Sequence, residues 1–161
     1  MELPERKLNR LQEYDYSQNG AYFVTICTQD RHKILSSIVG DGFSVPKHCG
    51  IIAEEIIAQI PVKHPSVAVD KYVIMPDHIH LLLRFDQDLG TENPSPTLGN
   101  VIGWYKYQVT KQADFEIHLN GKKLFQRSYY DHVIRNQKDY DEIWQYIENN
   151  PRKWVIDKQN R

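Results

Sequence analysis

One segment, Tyr72-Val-Ile-Met-Pro-Asp-His-Ile-His-Leu-Leu-Leu-Arg84, restricts the fold more than any other part of the chain. Val73-Ile74 and Leu81-Leu82-Leu83 are apolar runs. Between them Met75-Pro76-Asp77 reads as a tight turn, because proline and aspartate both favour turn positions. The chain is therefore expected to fold back on itself here as a β-hairpin, with His78 and His80 starting the returning strand. Alternate side chains on a strand leave from one face, so both imidazoles point the same way, roughly 7 Å apart at the backbone. Two neutral imidazoles so placed suit one metal ion, and a strand holds them more rigidly than a loop. The spacing alone equally fits two histidines on the solvated face of a half-buried strand. Their place beside a turn, rather than in mid-sheet, favours the functional reading.

At 161 residues the chain reads as one domain, 1–161, long enough for a proper core. The start, Met1-Glu-Leu-Pro-Glu-Arg-Lys7, has no apolar stretch of signal-peptide length, and no run approaches the roughly 20 apolar residues of a membrane span. Cys27 and Cys49 stand in no metal-ligand spacing and are expected to be reduced thiols, which implies a cytoplasmic protein. The net charge of −1 argues mildly against a nucleic-acid partner, but the charges are unevenly spread. Between positions 101 and 138 seven basic residues (Lys106, Lys111, Lys122, Lys123, Arg127, Arg135, Lys138) face three acids. Arg152, Lys153, Lys158 and Arg161 close the chain. Such local basic surface can contact phosphates, and a solvated face explains any one of these charges equally well.

Ala21-Tyr-Phe-Val-Thr-Ile-Cys-Thr28 is rich in β-branched and aromatic residues and reads as a strand. Residues 49–60 put Ile52, Ile56 and Ile60 on one face, and Pro61 supplies a stop: an amphipathic helix. The hairpin strands follow at about 68–74 and 78–85, then a polar loop over 86–96 broken by Gly90, Pro94 and Pro96, read as mobile. A second helix is expected over 98–113, burying Leu98, Ile102, Tyr105 and Val109, and a strand over 124–134. A last helix begins near Asp139, with Pro151 just past its end. This order predicts an α+β fold: a ferredoxin-like antiparallel sheet with helices packed on one face, plus a C-terminal helix.

In that last helix Tyr140, Ile143, Trp144 and Ile147 form an apolar stripe. Tyr146 and Asn150, at i and i+4, share a face at its edge, from which a phenol and an amide can reach a strand end. Read without further context, Tyr146 also fits a core tyrosine and Asn150 a helix-ending residue.

Several separated motifs, in order, resemble the single-tyrosine HUH transposases, and within them the REP-associated tyrosine transposases. They are Tyr14-Asp-Tyr-Ser17, Gly20-Ala-Tyr-Phe-Val-Thr-Ile-Cys-Thr28 and Met75-Pro-Asp-His-Ile-His80. Further on come Gln126-Arg-Ser-Tyr-Tyr-Asp-His-Val-Ile-Arg135 and Tyr146-Ile-Glu-Asn-Asn-Pro-Arg-Lys-Trp154. The resemblance implies that His78, His80 and Asn150 bind Mg²⁺ or Mn²⁺ and that Tyr146 is the nucleophile. It further implies a 5′-phosphotyrosine intermediate on single-stranded or hairpin DNA, and a free 3′-OH. Asp77 stands where many relatives carry asparagine. Monomer and homodimer both remain open.

On the second helix Trp104, Tyr107 and Lys111 fall at i, i+3 and i+7. Rings interleaved with charge on one face suit stacking of unpaired bases beside phosphates, and Trp104 equally suits folding back onto the core. With Lys106, Lys122, Lys123, Arg127 and Arg135 they form the expected DNA contacts. Tyr129 and Tyr130 are rival nucleophiles that face opposite sides of their strand, so at most one faces the site. Two other classes fit the same residues: a phosphoesterase using His78, His80 and an activated water, and a non-catalytic ferredoxin-like nucleic-acid module.

Overall fold

A computed structural model describes residues 20–90 and 95–159. The Tyr14–Ser17 motif, Arg161 and part of the polar loop lie outside the described residues. Strand β1 (Gly20–Cys27) is followed by a short hairpin, β2 (Ser36–Val39) and β3 (Phe43–Pro46). Then come α1 (His48–Lys63), β4 (Val67–Ile74), β5 (His78–Phe85), α2 (Leu98–Ile117), β6 (Tyr130–Ile134) and α3 (Gln137–Gln159). The main sheet has the order β4-β5-β1-β6, with each neighbouring pair antiparallel. That is the ferredoxin-like arrangement expected, with the β2–β3 hairpin as an unforeseen insertion.

The alternation of the strands divides the core. Tyr22, Val24, Ile26, Ile79, Leu81 and Leu83 pack with α1 and α2 on one face. Phe23 and Leu82 pack with Ile143 and Ile147 of α3 on the other. The rows foreseen on α1 (Ile52, Ile56, Ile60) and α2 (Leu98, Ile102, Tyr105, Val109) are buried against the first face. Thr97 and Asn100 cap the start of α2 reciprocally. The turn between β4 and β5 closes with the Met75 N–H donating to the His78 carbonyl at 2.8 Å. Its Pro76 and Asp77 carbonyls accept from the Leu35 and Thr28 N–H groups, which straps it to its neighbours.

Several element boundaries differ from expectation, among them the end of α2, which lies at Ile117 rather than residue 113. α1 runs through Pro61 to Lys63: the proline forfeits one donor, but the His64 N–H still reaches the Ile60 carbonyl at 2.8 Å. The strand expected over 124–134 is split, with Phe125 bridging Thr28 and the ladder of β6 starting only at Tyr130. Most consequential, α3 does not stop before Pro151 but continues to Gln159. The inserted hairpin accounts for this. At Gly42 (φ +134°) a Cβ would lie 2.7 Å from the Arg152 Cα, so the hairpin turn sits directly on the α3 backbone just beyond the proline. Tertiary packing there outweighs the helix-breaking preference of one residue.

Candidate active site

His78 and His80 lie side by side on the α3 face of β5, their ring centres 4.6 Å apart. They start the strand, and across β1 they face Cys27 and Thr25 respectively. Both are buried, His80 completely. The His78 Nδ1 pairs with Asp77 Oδ1 at 2.7 Å, and the His80 Nδ1 pairs with Thr25 Oγ1 at 2.9 Å. In each ring the Nδ1 is thus occupied, which leaves Nε2 for a ligand; a carboxylate on one nitrogen fixes the tautomer and ring plane in the way metal-binding histidines require. The His80 Nε2 is buried and has no hydrogen-bond partner among the described residues. Burying such an atom unsatisfied is costly, so the site fits a cation that would complete it. Burial, reinforced by His78 and Arg31, holds the His80 imidazole well below the usual histidine range, and it stays neutral as a ligand must.

Asp77 is itself supported. Arg31 Nε donates to its Oδ2 at 3.2 Å. Arg31 and the preceding Asp30 both take left-handed backbone angles (φ 54° and 55°), unusual for residues with a Cβ. This turn carries the guanidinium back over the end of β1, where it also reaches the Cys27 sulfur at 3.3 Å. Burial pushes the Asp77 carboxyl up, but hydrogen bonds from His78 and Arg31 outweigh it and hold the group below its ordinary value.

The α3 helix closes the site. Its Tyr146 ring lies 5.4 Å from the His80 ring and 5.8 Å, edge to face, from Phe23. Asn150, buried one turn later, hydrogen-bonds the Tyr146 phenol. Burial raises the phenol above its ordinary value, the Asn150 bond works against that rise, and Asp157 adds to it. Lys153 Nζ sits 5.7 Å from the Tyr146 ring centre. His78, His80, Tyr146 and Asn150 therefore converge, although they come from sites some 70 residues apart in sequence.

The expected DNA contacts do not all share this place. Trp104, Tyr107 and Lys111 belong to α2, on the opposite face of the sheet. Trp104 packs against that core with its ring 5.7 Å from His64, whereas Tyr107 and Lys111 are exposed. Lys106 donates to the Gln126 and Arg127 carbonyls at 2.6 and 2.9 Å, tying α2 to the segment before β6. Lys122, Lys123 and Arg127 are exposed on that segment, which hydrogen-bonds to Cys27 at the end of β1 and to Gln29 just beyond it, at the histidine end of the sheet. Arg135 follows Ile134, which faces Ala21 at the far end. Of the rival tyrosines, Tyr129 is buried in the α1/α2 core. Tyr130 stands opposite Thr25, one strand further from His80 on the same face.

Residue-by-residue reasoning did not single out Thr25, Arg31 or Trp154. Thr25 follows from β-register, as the residue opposite His80. Trp154, 6.4 Å from His78, is hidden by the false stop at Pro151. Arg31 carries no local signal, since only the unusual turn aims it.

A family model described as IS200-like transposase matches residues 16–150. An uncharacterized protein from Haemophilus influenzae is 31% identical, over 95% of this chain and 92% of its own length. A second Haemophilus influenzae protein, provisionally named a REP-associated tyrosine transposase, is 29% identical over 86% of this chain and 74% of its own. Among solved structures, a REP-associated tyrosine transposase bound to a REP hairpin aligns with TM-score 0.60 at 20% identity, covering 91% of this chain and 74% of that one. A provisionally named transposase from Deinococcus radiodurans aligns with TM-score 0.53 at 21% identity, covering 88% and 97%. At those identities the two structures establish a common fold.

Proposed function

Because this chain belongs to the IS200-like transposase family, we propose that it is a single-stranded DNA endonuclease and strand transferase whose nucleophile is Tyr146. The observation that carries this reading is the packing of the Tyr146 ring 5.4 Å from His80, whose buried Nε2 has no protein partner among the described residues. His78, His80 and Asn150 are the residues that would hold Mg²⁺ or Mn²⁺, a mixed nitrogen and oxygen set that suits such ions. When bound, the ion supplies charge neutralisation at a non-bridging phosphate oxygen.

The rest falls to the chain. Phe23 and His80 pack against the Tyr146 ring in edge-to-face fashion, which keeps the ring beside the histidines. The Asn150 amide has two polar ends: its oxygen serves the ion and its N–H₂ stabilises the phenolate. Lys153 adds positive charge near the ring. The phenol gives up its proton, and its oxygen forms a bond to the scissile phosphorus. The bond from phosphorus to the 3′ oxygen breaks, and that oxygen takes up a proton to become a free 3′-OH. The resulting 5′-phosphotyrosine conserves the bond energy, so attack by a 3′-OH can rejoin strands.

The substrate class is single-stranded or hairpin DNA, supported by the relative solved with a REP hairpin. Lys122, Lys123 and Arg127, exposed at the histidine end of the sheet, would take phosphates. Tyr107 and Lys111 lie on the other face and would require DNA to wrap the molecule. The test is a covalent adduct assay with single-stranded oligonucleotides drawn from hairpin repeats in the neighbouring genomic DNA. Wild type forms an adduct stable to denaturation, and Tyr146→Phe forms none while keeping its fold. Cutting by Tyr146→Phe would instead support a phosphoesterase that uses water.

A further inference from the structure

Beside the histidines lies a groove of about 450 Å³, walled by the β2–β3 hairpin and the C-terminal half of α3. Its lining includes Lys33, Lys47, Lys158 and Trp154, reaches Pro76 of the β4–β5 turn, and contains no carboxylate. In a chain of net charge −1 such a stretch is a local concentration of positive charge. Trp154 is only partly buried, and the Lys33 and Lys158 ammonium groups stand 5.7 and 5.8 Å from its ring centre. A smaller pocket of about 260 Å³ shares Lys33, Trp154 and Lys158 and extends to Asp77 and Arg31, with Asp157 as its other acid. The groove is thus continuous with the support of His78.

Along α3, Tyr146, Asn150 and Trp154 are spaced by four residues, so they follow one another on a single stripe. Eight residues of helix place Trp154 about 12 Å along the axis from Tyr146. A strand whose phosphate lies at Tyr146 and the histidines therefore has, at one side, an aromatic ring flanked by ammonium groups on flexible stems. That pairing is what an unpaired nucleotide requires: a face for the base and cations for its phosphates.

We infer that this groove is the binding site for the unpaired nucleotides flanking the scissile phosphate, with Trp154 stacking a base and Lys33 and Lys158 meeting the backbone. The inference rests on the reading of Tyr146 and the histidines as a DNA-cleaving site, and it names where the flank of that substrate runs. Segment 16–150, which carries the family match, ends before Trp154.

The experiment uses the full chain with Tyr146→Phe, so that binding is read without cleavage. Two probes are compared: a deoxythymidine oligomer of about eight nucleotides and an abasic deoxyribose-phosphate oligomer of equal length. The parent should prefer the thymidine oligomer by about tenfold. Trp154→Leu should lose that preference, Trp154→Phe should retain most of it, and Phe115→Ala, exposed on α2 on the opposite face, should leave it unchanged. Removing the charge by Lys33→Gln or Lys158→Gln should lower the slope of log affinity against log salt by about 0.7 each. Thermal melting controls for folding, and the phenylalanine variant keeps the test decisive if the leucine variant is unstable. An equal preference in parent and both Trp154 variants, or none in the parent, overturns the inference. An adduct formed by wild-type protein together with that result would leave the nuclease reading intact. A Trp154-dependent preference without any adduct would keep the groove and sink the nuclease.

Discussion

The two faces of the main sheet are lined by alternate residues of the same strands, yet they follow different rules. Toward α1 and α2, β5 presents Ile79, Leu81, Leu83 and Phe85, and the packing is close and mostly apolar. Toward α3 it presents His78, His80, Leu82 and Arg84, so apolar contact at Phe23 and Leu82 gives way to buried polar groups at the strand start. A one-residue slip in register would exchange the two sets. The apolar face therefore also fixes where the imidazoles stand. One side supplies the rigidity, while the other keeps the buried His80 Nε2 without a hydrogen-bond partner among the described residues, which a fold optimised for stability alone would avoid.

Substitutions on the two faces should separate these roles. The largest effect is expected for His80→Ala or for chelation of divalent ions: DNA cleavage should fall by more than the roughly 100-fold that losing an outer support costs, with the circular dichroism spectrum unchanged. Global unfolding of His80→Ala would break the division of labour. On the other face Leu81→Ala should destabilise the protein by about 2–5 kcal/mol in urea denaturation, while activity per folded molecule is retained. Asp77→Asn keeps the shape next to His78 but removes the charge, and should weaken divalent-ion affinity or activity by about 10–100-fold. Titration calorimetry with Mn²⁺ reads this directly.

The smallest effect is on stability in acid. The Asp77 carboxyl sits below its ordinary value of 3.8 in the folded protein. Its contribution is therefore complete above that value and is lost as the pH falls through the lower, folded one. Urea midpoints should drop more steeply below about pH 4 for wild type than for Asp77→Asn. Parallel curves would mean that the Arg31–Asp77–His78 arrangement does not stabilise the fold.

Much of this was legible in the sequence because the informative signals are local. The β4–β5 hairpin follows from Pro76-Asp77 between apolar runs, and the common face of His78 and His80 from strand alternation. The Ile52–Ile56–Ile60 row likewise locates α1. What escaped detection depends on distant contacts. The β2–β3 strands have four residues each, too few for a period, although Gly40-Asp41-Gly42 marks their turn. Pro151 reads as a stop because the local rule holds, and only the approach of Gly42 to Arg152 reverses it. The cations of the groove come from the segment after β1, the start of α1 and the end of α3, so the basic group that closes the chain signals Lys158 but nothing local joins it to Lys33 and Lys47.

The most direct test maps the covalent bond itself. Wild-type protein is incubated with Mn²⁺ and a cleavable single-stranded oligonucleotide, nuclease-trimmed, digested with trypsin and sequenced by fragmentation mass spectrometry. The account predicts a phosphonucleotide on Tyr146, within the peptide that follows Lys138 and ends at Arg152 and distinguishable from Tyr140 in the same peptide. A phosphonucleotide on Tyr130, or cleavage that leaves every tyrosine unmodified, would contradict it.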